Sequence, residues 1–317
     1  MPNRHNFYRS RAGSVHVMQP RHLFAVLIIM MLFGSAYPAG KLGVEHFPPF
    51  FFSALRSIVL AAVLLPFFRL RLPEAAQRPA LWGFCLSMGV GVYASMYLAL
   101  QLTSAVAPMV IGTQLSVPFA VLLGWLSLGE RVRFATLAAI ASAFAGIVIV
   151  AFEPAVFQDI GALAAIGVSA FFYALATTFA RSLRTVSPFA INGWMAVTAI
   201  VPLLALSLAT ESGQVAAILS AGALEWSMLL HSAIAISLVA HVWMFSLYRH
   251  YPVATVIPYY VLMPIFGILM SLAIFAEQPS LQVLLGGAVV IASTYAVNRT
   301  TARPVPAARP APSAASQ

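Results

Sequence analysis

Charge is what this sequence has least of. Asp, Glu, Lys and Arg make up 8% of its 317 residues, and hydrophobic residues make up 61%. A soluble domain carries nearer ~25% charge, so the composition excludes one and leaves an all-α polytopic membrane protein. Cysteine is almost missing. The single Cys85 lies inside an apolar run, which excludes an intramolecular disulfide. Lysine occurs once, as Lys41; the other 16 basic residues are Arg. Acid is missing where it would matter most. None of the eight acidic residues falls in the core of an apolar stretch, so the carboxylate that often binds a proton or sodium within a membrane is absent. There is no HExxH, no Asp pair, no Ser/His/Asp set and no phosphate loop. No catalytic residue, metal or cofactor is therefore assigned, and a membrane-embedded enzyme is the weaker reading. The net charge of +9 points to loop topology rather than to nucleic acid.

What is there is apolar length. Ten stretches, 22–41, 48–68, 79–100, 104–128, 133–152, 160–180, 188–208, 226–247, 253–275 and 281–298, approach the ~20 apolar residues that cross a bilayer. The fourth organises the chain. TSAVAPMVIGTQLSVPFAVLLGWLSLGERVR reads as one helix from Ser104 to Leu128, closed by Gly129-Glu130-Arg131, with Thr113, Gln114 and Pro118 near its middle. A second version, YPVATVIPYYVLMPIFGILMSLAIFAEQPS, carries Tyr259, Tyr260, Pro264 and Glu277 in the matching order. Residues 1–21 form a polar N-terminal tail, and 299–317 are Pro/Ala/Ser-rich and read as disordered. The first stretch also has the basic start and small residues (Gly34, Ser35, Ala36) of a signal peptide. Removing it would leave nine spans and break the repeat that follows.

Topology follows from where Arg and Lys collect, because they favour cytoplasmic loops. With the N-terminus inside, 15 of 17 basic residues fall inside; only Lys41 falls outside and Arg56 within a span. Both termini are then cytoplasmic, in an inner (plasma) membrane. The halves also align. Phe33 matches Tyr173, Lys41 matches Arg181 and Pro48 matches Pro188, all at an offset of 140. Five spans per half is an odd number, so 22–152 and 160–298 are inverted five-helix repeats, a frequent design of secondary transporters.

The ordered set LFGSAYPAGKLG, FPPFFFSALRSIVLAAVLLPF, YLALQLTSAVAPMV and LLGWLSLGERV, followed by GALAAIGVSAFFYALATTFARSL and AHVWMFSLYRHYPVATVIPYYVLMPIFGILMSLAIFAEQPS, resembles the two halves of an EamA-type transporter of the drug/metabolite transporter superfamily. The resemblance covers about residues 22–298. It implies a ten-helix inverted-repeat bundle working by alternating access, with export of amino acids or related metabolites as the expected activity. It also implies that the fifth and tenth spans are scaffold, away from the substrate path. This chain departs from the family pattern at Phe33 and Tyr173, where Trp is frequent, and at Gln278-Pro279 after the second glutamate. Export of drugs or other organic solutes, and a channel, are the rival readings.

Several residues inside the spans carry chemistry. Arg56 is the one charge well inside a span, about 12 Å past Pro48 at ~1.5 Å per residue. It is either a counter-charge for a substrate carboxylate or a structural cation bonded to backbone carbonyls. Gln114 and Thr113 either bridge helices or face a cavity. Tyr93 and Tyr97 share a helical face, and Tyr259 and Tyr260 sit midway along the ninth span. His241 matches Tyr93 at an offset of 148 and is either a proton site or a neutral hydrogen-bonding ring. Together with Phe33 and Tyr173, these residues are expected to line one cavity at mid-depth. Asn192, Trp194 and His231 are weaker candidates. Glu130 and Glu277 sit at helix ends and read as structural, bonding loop amides. Small residues at four-residue spacing, Ala138, Ser142, Gly146 and Ala288, Ala292, permit close helix packing and leave room for a homodimer. The expected partners are a small-molecule substrate and the lipid bilayer.

Overall fold

The computed structural model describes residues 18–301, apart from 69–70, 129–131 and 252. Both terminal tails, with Arg4, Arg9, Arg11, Arg303 and Arg309, lie outside the described residues, as do Arg69, Glu130 and Arg131.

Among the described residues there are helices and no strands. Nine helices are long and apolar enough to cross a membrane: α1 (Pro20–Val44), α2 (Pro49–Phe67), α3 (Ala75–Leu102), α4 (Val106–Ser127), α5 (Phe134–Ala151), α6 (Ile160–Leu183), α7 (Pro188–Thr210), α8 (Ala223–Met244) and, last in the chain, Leu281–Thr301. Between α8 and that last helix lies a shorter apolar one, α9 (Tyr259–Phe275), so Leu281–Thr301 is α10. Proline opens α1, α2 and α7, where its missing N–H costs nothing and its fixed φ favours the helix. Ala276, at φ 52°, ends α9 in the left-handed conformation of a C-cap. Two short helices, Pro154–Gln158 and Gln214–Ser220, lie in the connections between spans.

The packing has the symmetry of an inverted repeat. α2 runs antiparallel to α7, with Phe67 stacked on Phe189 at one end and the amides of Phe50 and Phe51 on Glu211 at the other. α5 runs antiparallel to α10, from Thr136 against Thr300 to Gln282 against the Ile149 carbonyl. α1 packs on α9 and α8, and α6 packs on α4 and α3. Exchanging the halves maps α2–α7 and α5–α10 onto themselves and the pairings of α1 onto those of α6. α1 is therefore a full member of the bundle. Its contact with α9 closes at Gly34, where a Cβ would meet Gly267 N and the Met263 carbonyl oxygen at 2.7 Å.

The small-residue stripe follows a different phase from the one expected. The α5–α10 contact runs through Ala139, Ala143, Gly146 and Val150 against Val283, Gly286 and Val290, whereas Ala138, Ser142, Ala288 and Ala292 are exposed. At ~3.6 residues per turn a strict four-residue step drifts off the buried face.

Besides the 3₁₀ turns that open α3 (Ala75–Gln77) and close α6 (Arg181–Leu183), regular geometry fails in two matching pairs of segments. α3 widens to a π-helix at Cys85–Val92 and α8 at His231–Ala240. α4 tightens to a 3₁₀ turn at Thr113–Leu115, and a 3₁₀ segment at Ile257–Val261 leads into α9. The fourth span is thus three pieces rather than the single helix expected from Ser104 to Leu128. The cause of the tightening is Pro118 and Pro264, which supply no N–H to the carbonyl four residues back. π segments inside α-helices concentrate at functional sites.

Candidate functional site

These irregular segments surround one cavity of about 850 Å³. Tyr93 is the first residue after the π segment of α3, and His241 the first after that of α8; both line the cavity. The π segment of α8 is two residues longer than that of α3. That difference carries the repeat from an offset of 146, Cys85 to His231, to 148, Tyr93 to His241.

Of the residues singled out in the sequence, Phe33, Tyr93, Tyr97, Gln114, Tyr173, His241 and Tyr260 line the cavity, as does Thr113. Arg56 and Tyr259 are not among its lining residues. Tyr259 and Tyr260 both pack against the apolar cluster that holds Val26, Ile29 and Met30 of α1. Neighbours on a 3₁₀ segment point about a third of a turn apart, and of the two only Tyr260 also reaches the cavity. Asn192 gives its amide to the Pro188 carbonyl, Trp194 bonds the Arg71 carbonyl and His231 pairs with Ser35 Oγ; none of the three lines the cavity.

The tenth span departs from its expected scaffold role. Ile291, Thr294, Tyr295, Asn298 and Arg299 form part of the wall, while the fifth span contributes nothing to it. Tyr37, Met88, Met96 and Ser232 also face the cavity. Tyr37 was legible in the sequence, because it follows Phe33 by four and shares its helical face. Ser232 was not; its position depends on the π turns.

The polar atoms are arranged by simple donor and acceptor rules. The Tyr97 hydroxyl and Ser232 Oγ are 2.6 Å apart at the inner end of the cavity. His241 Nδ1 lies 2.9 Å from the Ile236 carbonyl oxygen. A carbonyl only accepts, so Nδ1 carries the proton, and Nε2 of the neutral ring is an acceptor. Phe33 meets the same ring edge-on at 5.0 Å. Ser169 Oγ donates to the Val92 carbonyl at 3.0 Å, satisfying backbone at the end of the π segment.

Arg56 lies behind this wall. It is 1% exposed, and its guanidinium carbon is 3.3 Å from the centroid of the Tyr93 ring. Tyr93 in turn stacks on Tyr97 at 6.1 Å. A desolvated cation–π contact gives about 2 kcal/mol, less than the several kcal/mol that burying one ion costs.

The cavity is closed at one end and open at the other. Beyond Tyr97 the closed end is filled by Phe52, Phe47 and Trp226, with ring centroids 4.9, 5.9 and 5.8 Å apart in succession. Past these rings, hydrogen bonds join every connection at that end. Lys41 Nζ donates to the Thr103 carbonyl at 2.8 Å. Glu211 receives the Phe50 and Phe51 amides at 2.7 and 3.0 Å. Glu277 receives those of Val106 and Ala107 at 2.6 and 3.1 Å. Asp159 receives Ser104 N and Oγ, both at 2.6 Å, and Ser280 donates to Glu153 at 2.7 Å. The carboxylates thus sit on the first amides of α2 and α4, where a helix start favours negative charge. At the open end, where α1 begins and α10 ends, Arg181 and Arg299 border the cavity. Hydrogen bonds there link neighbours: Gln77 to Thr185 at 2.8 Å, the Gln19 amide to the Tyr251 hydroxyl at 3.1 Å and Thr136 to Thr300 at 2.9 Å.

Comparison with known proteins gives the fold a family. The sequence profile of the EamA-like transporter family matches twice, over residues 21–152 and 159–299. No curated protein in the comparison matches the chain. A solved structure described as "Crystal structure of protein" superposes with a TM-score of 0.57 at 17% identity, over 88% of this chain and 96% of that one; the likeness carries the fold alone. With one family repeat on each half of the ten-helix bundle, the chain belongs to the EamA-like transporter family and is a multi-pass membrane transporter of small molecules.

Proposed function

We propose that the protein exports amino acids or closely related metabolites across the inner membrane, with both termini cytoplasmic. The observation that carries this reading is the cavity. It is bordered at its mouth by Arg181 and Arg299, walled by aromatic and methionine side chains, and supplied at depth with the amide of Gln114, the Nε2 acceptor of His241 and tyrosine hydroxyls. Among the described residues no acid lines it. A solute with a carboxylate, an apolar side chain and a hydrogen-bond donor matches these features. The arginine-bearing end is the cytoplasmic one by the distribution of positive charge, so the captured form faces the cytoplasm. Release requires the carboxylate-amide bonds and the Phe47–Phe52–Trp226 layer at the other end to part.

The apolar share of the wall supports a second reading, export of less polar organic solutes. Purified protein in liposomes, loaded with a panel of amino acids, should show saturable counterflow of at least one of them. Gln114→Ala and Tyr260→Phe should shift apparent affinity several-fold with expression intact. Counterflow of apolar organic cations or drugs but of no amino acid would move the assignment to the second reading. Linear, unsaturable flux would reject both in favour of a channel.

A further inference from the structure

Arg56 has two polar atoms without a hydrogen-bond partner, Nε and Nη2, and Ser53 Oγ has none either. The two nitrogens are not scattered. Nε–H and the Nη2–H beside it lie parallel along one edge of the planar guanidinium, the edge that receives an anion with both hydrogens. Ser53 stands three residues earlier on α2, on the same helical face, and is 0% exposed. The flat face of the guanidinium is already taken by the Tyr93 ring, but a ring face offers no acceptor to that edge. No carboxylate serves it. Among the described residues no acid lies in the apolar core of a span. Glu211, about 8 Å away along α2 at ~1.5 Å per residue, spends both oxygens on the amides of Phe50 and Phe51.

We propose that the Nε/Nη2 edge of Arg56 and the hydroxyl of Ser53 form an anion-binding site on α2, separate from the transport cavity, that takes one small monovalent anion, a carboxylate or a halide. Two donors on the guanidinium edge, the Ser53 hydroxyl one helical turn away and one full positive charge hold it. Tyr93 is its screen, because the same ring lines the cavity and covers Arg56. As the first residue after the π segment of α3, Tyr93 stands where the helix changes register. The site is independent of what the cavity carries.

The test is thermal unfolding of the purified full chain in detergent, followed by tryptophan fluorescence, in sodium sulfate buffer with sodium acetate or sodium chloride added at constant ionic strength. Saturable stabilisation of about 3 °C or more by at least one of the two anions is expected, by mass action on the folded state. Saturation by acetate alone identifies a carboxylate site, and by chloride alone a halide site. Ser53→Ala should raise the half-saturating concentration about fivefold, the equivalent of one hydrogen bond, and Arg56→Gln should abolish the effect. The proposal is overturned if neither anion stabilises the wild type saturably, or if Ser53→Ala leaves the half-saturating concentration unchanged. The Ser53 variant keeps the test decisive if Arg56→Gln does not fold. Amino-acid counterflow that persists while this test fails leaves the transport reading standing.

Discussion

Gln114 and Tyr260 each stand four residues before a proline, and both line the same cavity. Pro118 and Pro264 have no N–H to offer their carbonyls, so the helix tightens at these two polar residues. One substitution type therefore shapes the backbone and exposes the side chain, once in each half. Pro118→Ala or Pro264→Ala restores a donor to that carbonyl. Each variant should gain about 1 kcal/mol in stability and lose several-fold in counterflow rate. Melting curves and liposome assays check both; unchanged transport would show that the bends are passive.

The α1–α9 crossing rests on Gly34. A methyl there meets backbone atoms at 2.7 Å on the opposing helix, and backbone cannot swing aside as a side chain does. Gly34→Ala should destabilise by about 1–3 kcal/mol, and Gly34→Val should fail to give monodisperse protein. Size-exclusion profiles of both, compared with Gly161→Ala, where a Cβ meets nothing within 4 Å, separate crowding from a general intolerance of change.

Glu277 holds the first amides of α4 and also receives the hydroxyl of Ser271 at 3.2 Å. Glu277→Gln removes the charge and one of two acceptor oxygens at a helix start, a loss of about 0.5–2 kcal/mol. The loss falls on the closed end alone. The variant should label faster with a membrane-impermeant thiol reagent at a cysteine placed at Phe52, in a Cys85→Ala background. Equal labelling rates would mean that this end is held by the aromatic layer.

Topology makes a simple prediction. A reporter fused after Asn298 should behave as cytoplasmic in cells, and activity of a periplasm-dependent reporter at that position would invert the whole charge argument.

Among the described residues no carboxylate lines the cavity, and the one histidine that does gives Nδ1–H to the Ile236 carbonyl. Counterflow in liposomes is expected without an imposed pH gradient and within about twofold of wild type in His241→Gln, since a neutral hydrogen-bonding ring is replaced by a neutral amide. Strict dependence on a proton gradient, lost in that variant, would make His241 a proton carrier.

The number of helices, their near boundaries and the inversion of the halves were all determined by sequence alone. Bilayer length, loop charge and the Phe33/Tyr173, Lys41/Arg181 and Pro48/Pro188 correspondences depend only on position along the chain. The sequence also marked Glu277 as a residue for loop amides and seven of the nine candidate side chains that line the cavity, because polar atoms in lipid must face one another or water. What it did not determine is which side of a helix each residue takes once the turn is no longer regular. The π segments of α3 and α8 and the 3₁₀ turns beside Gln114 and Tyr260 rotate every residue beyond them, so that Tyr260 lines the cavity and its neighbour Tyr259 does not. Placement of Arg56 behind Tyr93, and recruitment of the tenth span to the wall, were decided by contacts between helices far apart in sequence. A periodic pattern read along one helix carries no information about the partner that covers it.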